Sequence, residues 1–351
     1  MRDFEARELR AALEPFARRS GAAAASLLAA NVLIYAALVA GTVAAPWLAL
    51  RLLFVVLAGI AISGLFVIGH DAAHGAYAES RRWNAAIGRV AFLPSLHNFS
   101  LWQVQHNRLH HRLANVKGFN SWSPLTKTEF DCLPAWRRAV ERLYRSPLGF
   151  APYYLVERWW RDKFFPRRRG AGGASSAAWL DFALLLAFLA ALLALLAGFG
   201  WSAILWGFAA PFLVWNALVG ATIYMHHTHP RVPWFEAIAE WRALAGDAAV
   251  TVHVQMPRWY GIASHNIMDH PAHHVHPKIP LYRLRAAQRH LNALLGERAI
   301  IQPFSLGYLW TTLRGCKLYD FGAHRWLDFA GRPTSACTLP APRPARNAAV
   351  A

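Results

Sequence analysis

Eleven of the 17 histidines fall in four short segments: His70-Asp71-Ala72-Ala73-His74, His106-Asn107-Arg108-Leu109-His110-His111, His226-His227-Thr228-His229 and His270-Pro271-Ala272-His273-His274. Residues i, i+3 and i+4 of a helix share a face. That spacing predicts that His70 and His74 project together, that His106 and His110 do so with His111 beside them, and that His270, His273 and His274 repeat the pattern. Pro271 suits the first turn of a short helix, which Pro277 ends. A lone histidine at a membrane boundary is ordinarily an interfacial polar residue. Four clusters are different, because crowded imidazoles left without partners cost roughly 1–3 kcal/mol each and a metal ion satisfies them. The ligands outnumber the need of one ion, which implies two. Imidazole suits Zn, Cu, Fe and Ni. No HExxH occurs, and a hydrolytic dizinc site would normally include carboxylates, whereas two irons held by neutral imidazole would form a positive centre able to bind and reduce O2. The cysteines Cys132, Cys316 and Cys337 are isolated and signal neither a thiolate site nor a disulfide framework. Asp71 points about 100° away from His70 around the helix and is expected to orient a neighbouring imidazole.

The rest of the chain has to bring these segments together. Of its 351 residues, 56% are apolar and only 16% charged, against roughly a quarter charged in a soluble domain. Residues 20–50, 52–69 and 182–230 contain no Asp, Glu, Lys or Arg, which excludes a simple globular enzyme or a disordered chain. About 20 apolar residues cross a bilayer, so four transmembrane helices are expected at about 25–45, 50–72, 178–198 and 202–224, arranged as two hairpins. The first span ends at Ala45-Pro46, and the last two are parted near Gly198-Phe199-Gly200-Trp201-Ser202. In this layout all but Arg51 of the 37 Lys and Arg lie on one side. That bias places residues 73–177 and 225–330, and both termini, in the cytoplasm, as expected of a multi-pass protein of a bacterial inner membrane. All four clusters then share one face; three spans would have divided them.

Residues 1–24, of mixed charge and without a secretory signal, read as an amphipathic interfacial segment. Residues 166–176 read as a basic linker, and 331–351, rich in Pro and Ala, as a disordered tail. Gly59, Gly64 and Gly69 of the second span suit close helix packing.

These motifs resemble the membrane fatty acid desaturases, a family with three histidine boxes and two irons. Here the boxes are HDAAH followed by GAYAESRRWNAAIGR, HNRLHH, and HPAHH followed by VHPKIPLYRL; YMHHTHP is similar to the QHTHP element of the Δ12/ω3 branch. The likeness covers roughly residues 50–295. It implies an all-α, mushroom-shaped membrane domain over residues 25–330, with a cytoplasmic helical cap over the irons. Carried over by position, the ligands are His70, His74, His106, His110, His111, His227, His270, His273 and His274. The Asn that completes the site in some animal members is not evident, since Ile223 stands four residues before His227. His265, in HNIMD, sits one residue closer to the third box than its counterpart in the Δ12 branch. It is expected, with Asp71, His226 and His229, to support the ligands rather than to bind metal.

The resemblance implies an O2-dependent acyl desaturase that makes a cis double bond. No haem or flavin motif is present, so electrons are expected from outside, from a ferredoxin-like or cytochrome-b5-like donor with its reductase. The basic face, in a chain of net charge +18, suits anionic membrane lipid, an acidic carrier and an anionic acyl carrier; nucleic acid is not an expected partner. A hydroxylase, an acetylenase, or a carotenoid or sphingolipid oxidase would use the same scaffold. A non-redox metal-binding protein or transporter is the rival of another class, but transporters place ionisable groups near mid-span, and the first and third spans contain no His.

Overall fold

The computed structural model describes residues 2–166, 175–244 and 247–339. Most of the expected basic linker, 167–174, and the end of the expected tail, 340–351, lie outside the described residues. Among the described residues four helices are long and apolar enough to cross a membrane: Gly21–Ala44, Leu48–Ala73, Ser176–Ala197 and Trp201–His227, here spans one to four. Each is apolar on all sides, as suits lipid or a protein interior. Ser20 and Ser175 cap spans one and three, their side chains accepting from Ala23 N at 3.3 Å and Ala178 N at 3.2 Å. Between spans three and four the chain reverses at Gly200, whose φ of +93° favours a residue without Cβ.

Span two is the most enclosed of the four and packs on spans one and four and on the helix Arg81–Phe92. Its glycines permit this. A Cβ on Gly59 would lie 2.5 Å from the Val214 side chain, one on Gly64 would lie 2.6 Å from Asn31 Oδ1, and one on Gly69 would overlap the Phe92 ring. Gly59→Leu should therefore cost about 1–3 kcal/mol or more, read as a lowered midpoint of thermal inactivation in detergent. Gly21→Ala, with open space around it, should leave the midpoint unchanged.

The remaining segments are tied to the spans by specific contacts. Asp181, buried near the start of span three, accepts from Arg89 Nε at 2.6 Å and from Ser100 N at 2.7 Å. It thereby ties Arg81–Phe92 and the helix Phe99–Val104 to the bundle. The helix Arg2–Leu13 brings Leu13 into a buried cluster with Ala272, Val275, Leu284 and Leu291, and His276 Nε2 donates to Glu14 at 2.8 Å. The N-terminal segment thus rests on the helix that carries the last histidine cluster. Two small sheets occur among the described residues: His253–Gln255 pairs in parallel with Ile301–Pro303, and Leu318–Asp320 pairs antiparallel with Arg325–Leu327. Residues 331–339 lie along the second sheet, with Thr334 N donating to Trp326 O at 2.9 Å and Thr338 N to His324 O at 2.7 Å.

Candidate metal centre

His70 lies in the last turn of span two, and His74 follows as its C-cap. Both imidazoles join a group with His106, His111 and His273. A second group holds His110, His227, His270 and His274, and in each group one atom per residue lies within 4.8 Å of all the others. His227 is the last residue of span four, and His270–Val275 is a short helix with proline in its first turn. All nine residues carried over from the resemblance fall in these two groups, and no carboxylate belongs to either among the described residues.

The division within the second box differs from the expected one. Phe99–Val104 continues into a wider, π-helical turn over Gln105–His110, closed by a bond from His111 N to His106 O at 3.0 Å. In such a turn residues five apart stack. His106 and His111 therefore face the first group together, and His110 is turned to the second. The third box divides as well: His270 and His274, one α-turn apart, join the second group and His273 the first.

Within each group the ring nitrogens crowd together. Nε2 of His106 lies 3.1 Å from that of His70 and 3.0 Å from that of His111; Nε2 of His111 is 3.1 Å from that of His273, and Nε2 of His227 is 3.1 Å from that of His270. A ring nitrogen carries either one proton or one lone pair. His106 and His111, each with two such neighbours, can satisfy only one of them by hydrogen bonding. A metal ion resolves the conflict: two nitrogens at right angles on an ion about 2.1 Å away lie about 3.0 Å apart. His74 Nε2 and both ring nitrogens of His274 also have no hydrogen-bond partner. The donor set fits two metal ions.

Charge state and orientation agree with that fit. Burial, reinforced by neighbouring imidazoles, pushes His74, His106, His111, His270, His273 and His274 well below the ordinary imidazole value, and burial pulls His110 down to about 4. These rings are neutral at pH 7 and offer lone pairs. His227 Nδ1 donates to the Val250 carbonyl at 3.1 Å. His110 Nδ1 donates at 2.6 Å to Asn120 Oδ1, whose own amide donates to Leu113 O and Val116 O. Both acceptors place the proton on Nδ1 and leave Nε2 to the metal. Trp102 stacks on His106 at 4.0 Å and holds its ring plane. Loss of such an outer partner typically costs about 10–100-fold in metal affinity or activity. Asn120→Ala should do so, read by metal retention during dialysis, while Asn120→Asp, which keeps the acceptor, should recover much of it.

The four residues expected to support the ligands are placed differently from one another. Asp71 Oδ1 lies 3.2 Å from His70 Nδ1, and its other oxygen accepts from Leu281 N at 2.5 Å, joining span two to the helix Leu281–Leu295. His226 stacks on His270, with ring centres 3.6 Å apart. His265 is buried against Asn31 of span one, 3.3 Å from its Oδ1, and His229 Nδ1 accepts from Arg231 N at 3.1 Å; neither belongs to a metal group. The sequence carried no local signal for Asn120, ten residues past His110, or for Val250 and Trp102.

A cavity opens from the two groups between spans two and four. Its apolar walls include Phe66 and Val67 from span two and Trp215 and Val219 from span four, with Ser63 also lining it. Near the histidines it is bordered by Gln105 and Lys163, whose side chains are joined at 2.5 Å. Burial pulls Lys163 down to about 7.

Residues 45–304 match the family model described as fatty acid desaturase. The chain is similar to the chloroplastic omega-6 fatty acid desaturase of Spinacia oleracea, 29% identical over 79% of this chain and 61% of the relative. It is also similar to the sn-1 oleoyl-lipid 12-desaturase of Picosynechococcus sp., 29% identical over 86% of each chain. A third relative is the sn-1 acyl-lipid omega-3 desaturase (ferredoxin) of Synechocystis sp., 30% identical over 70% of this chain and 68% of that one. The chain spans about three-fifths of the length of the chloroplast relatives it matches.

Proposed function

The chain belongs to the fatty acid desaturase family, and on that premise we propose that it is an O2-dependent acyl-lipid desaturase with two irons, one in each imidazole group. The observation that carries this reading is the meeting of two all-histidine metal groups with one apolar cavity. When bound, two irons would supply the reduction of O2 to two waters, using two hydrogens from adjacent methylenes and two electrons and two protons from outside. The chain's own part is positioning, since a misplacement of about 1 Å can cost about 10²-fold. Phe66, Val67, Trp215 and Val219 exclude water and hold an extended acyl chain in one register. The Val250 and Asn120 acceptors keep Nε2 of His227 and His110 turned to the metal.

In this reading spans one and two form one hairpin and spans three and four another. The histidine-bearing ends, both termini and the segments 73–177 and 225–330 face the cytoplasm as a cap on the membrane domain 25–330, with 1–24 lying at the interface. The basic cytoplasmic face receives an acidic electron carrier, ferredoxin-like or cytochrome-b5-like; the name of the Synechocystis relative supports the former. Expression in a host with simple lipids, followed by mass spectrometry of double-bond positions, tests the proposal. One new cis double bond at a fixed position is expected. A hydroxylated or acetylenic product, or turnover of purified protein without an added donor and reductase, would contradict it.

A further inference from the structure

A second cavity, of about 280 Å³, lies between the helix Ala135–Tyr144 and the segment Tyr153–Phe164. It is polar where the first is apolar, and Arg158 lines both, so the two adjoin. Four guanidinium groups, of Arg137, Arg145, Arg158 and Arg161, line it together with three carboxylates, of Glu141, Glu157 and Asp162. Arg137 lies 3.1 Å from Glu141 and 2.9 Å from Glu157; Arg161 lies 2.7 Å from Glu157, and Arg158 lies 3.2 Å from Asp162. Arg145 is buried; it lies within electrostatic reach of Glu141 but forms no salt bridge among the described residues. Its Nη2 donates to Trp122 O at 3.0 Å and Ser123 O at 3.1 Å, and its Nη1 has no hydrogen-bond partner. Four guanidinium groups thus face three carboxylates, and a buried guanidinium with an unfilled donor favours an anion that it can hold by a charge-assisted bond.

The outer faces of the same stretch indicate where such an anion would come from. Trp136, Leu143, Leu148, Val156 and Trp160 are all exposed on it, beside the arginines that line the cavity. Aromatic and apolar side chains interleaved with basic ones mark a segment that lies in the headgroup layer of a membrane. We propose that the polar cavity holds the phosphodiester of an anionic membrane phospholipid whose acyl chain enters the adjoining apolar cavity. The inference rests on the desaturase reading and specifies its substrate as an acyl phospholipid. A phosphodiester carries the single negative charge the lining lacks, and the planar guanidinium groups of Arg145 and Arg158 suit its oxygens. Tyr153, whose hydroxyl oxygen accepts from Trp122 N at 2.6 Å, keeps its own proton for the same ligand.

The test uses the iron-loaded protein with its electron donor, in vesicles of equal parts phosphatidylglycerol and monogalactosyl diacylglycerol bearing the same acyl chains. New double bonds are counted on each headgroup by mass spectrometry, and lipid retained by the protein is identified by native mass spectrometry. Product and retained lipid should favour phosphatidylglycerol by about ten-fold or more, as loss or gain of a charge-assisted bond does. Arg158→Gln should reduce that preference, and Glu141→Gln, which adds a net positive charge to the lining, should raise it. Equal product on both lipids, a preference unmoved by either variant, or faster turnover of a soluble acyl-carrier thioester overturns the inference and leaves the desaturase reading standing. Absence of product on every substrate overturns the desaturase reading instead. The retained lipid then decides the cavity's ligand: preferential retention of phosphatidylglycerol upholds it, and equal retention rejects it.

Discussion

His110→Ala should reduce bound metal from about two ions per chain to about one and abolish product. His110 belongs to the smaller group, which would fall from four imidazoles to three, and its ring is held on the metal by the bond to Asn120. Removal of an outer partner alone costs about 10–100-fold, so removal of the ligand itself should exceed that in rate. His273→Ala provides the contrast. Its group keeps four imidazoles, so more metal should be retained than in His110→Ala, while product is again lost. Metal content by plasma mass spectrometry and double bonds per lipid, measured on the same preparations, check both. Normal product from either variant would remove that histidine from the site.

Ser63→Phe should lower turnover of the longest acyl substrate by about 10²-fold, as loss of register at the reacting carbons does, and leave two metal ions bound. Ser63 lines the cavity from span two, four residues before Val67 and seven before His70. A ring placed there occupies space an extended chain needs without touching a ligand. Rates on a series of acyl chain lengths check the prediction, which requires the longest chains to suffer most and the shortest least. An equal loss at every length, or loss of metal, would indicate disruption of the bundle and would remove Ser63 from the chain's path.

The parts of this architecture that depend on composition and on α-helical period were readable from the chain alone. Uncharged stretches mark the four apolar helices, and the spacing of His70 and His74 predicts that they project together; the two lie in the first group. The second box was not readable in this way. An α-helical period pairs His106 with His110, but the turn there is wound wider, and His106 pairs with His111. Nothing in HNRLHH announces the change, and the Trp102 ring stacks on His106 within it. The same holds for contacts that close over long separations. Asp71 accepts from Leu281, 210 residues away, and His227 donates to the Val250 carbonyl. A backbone carbonyl has no residue type to read, and His265, matched by motif, is buried instead against Asn31.

On the proposed function, each of the two imidazole groups, with no carboxylate among the described residues, holds one iron in the working protein. The decisive test loads iron-free protein anaerobically with Fe(II) in steps and then supplies each sample with O2, acyl lipid and the electron donor for a desaturation assay. Activity should rise to a plateau at two irons per chain, and zinc in place of iron should give none. A plateau at one iron, or equal activity with zinc, would rule out a working pair of irons.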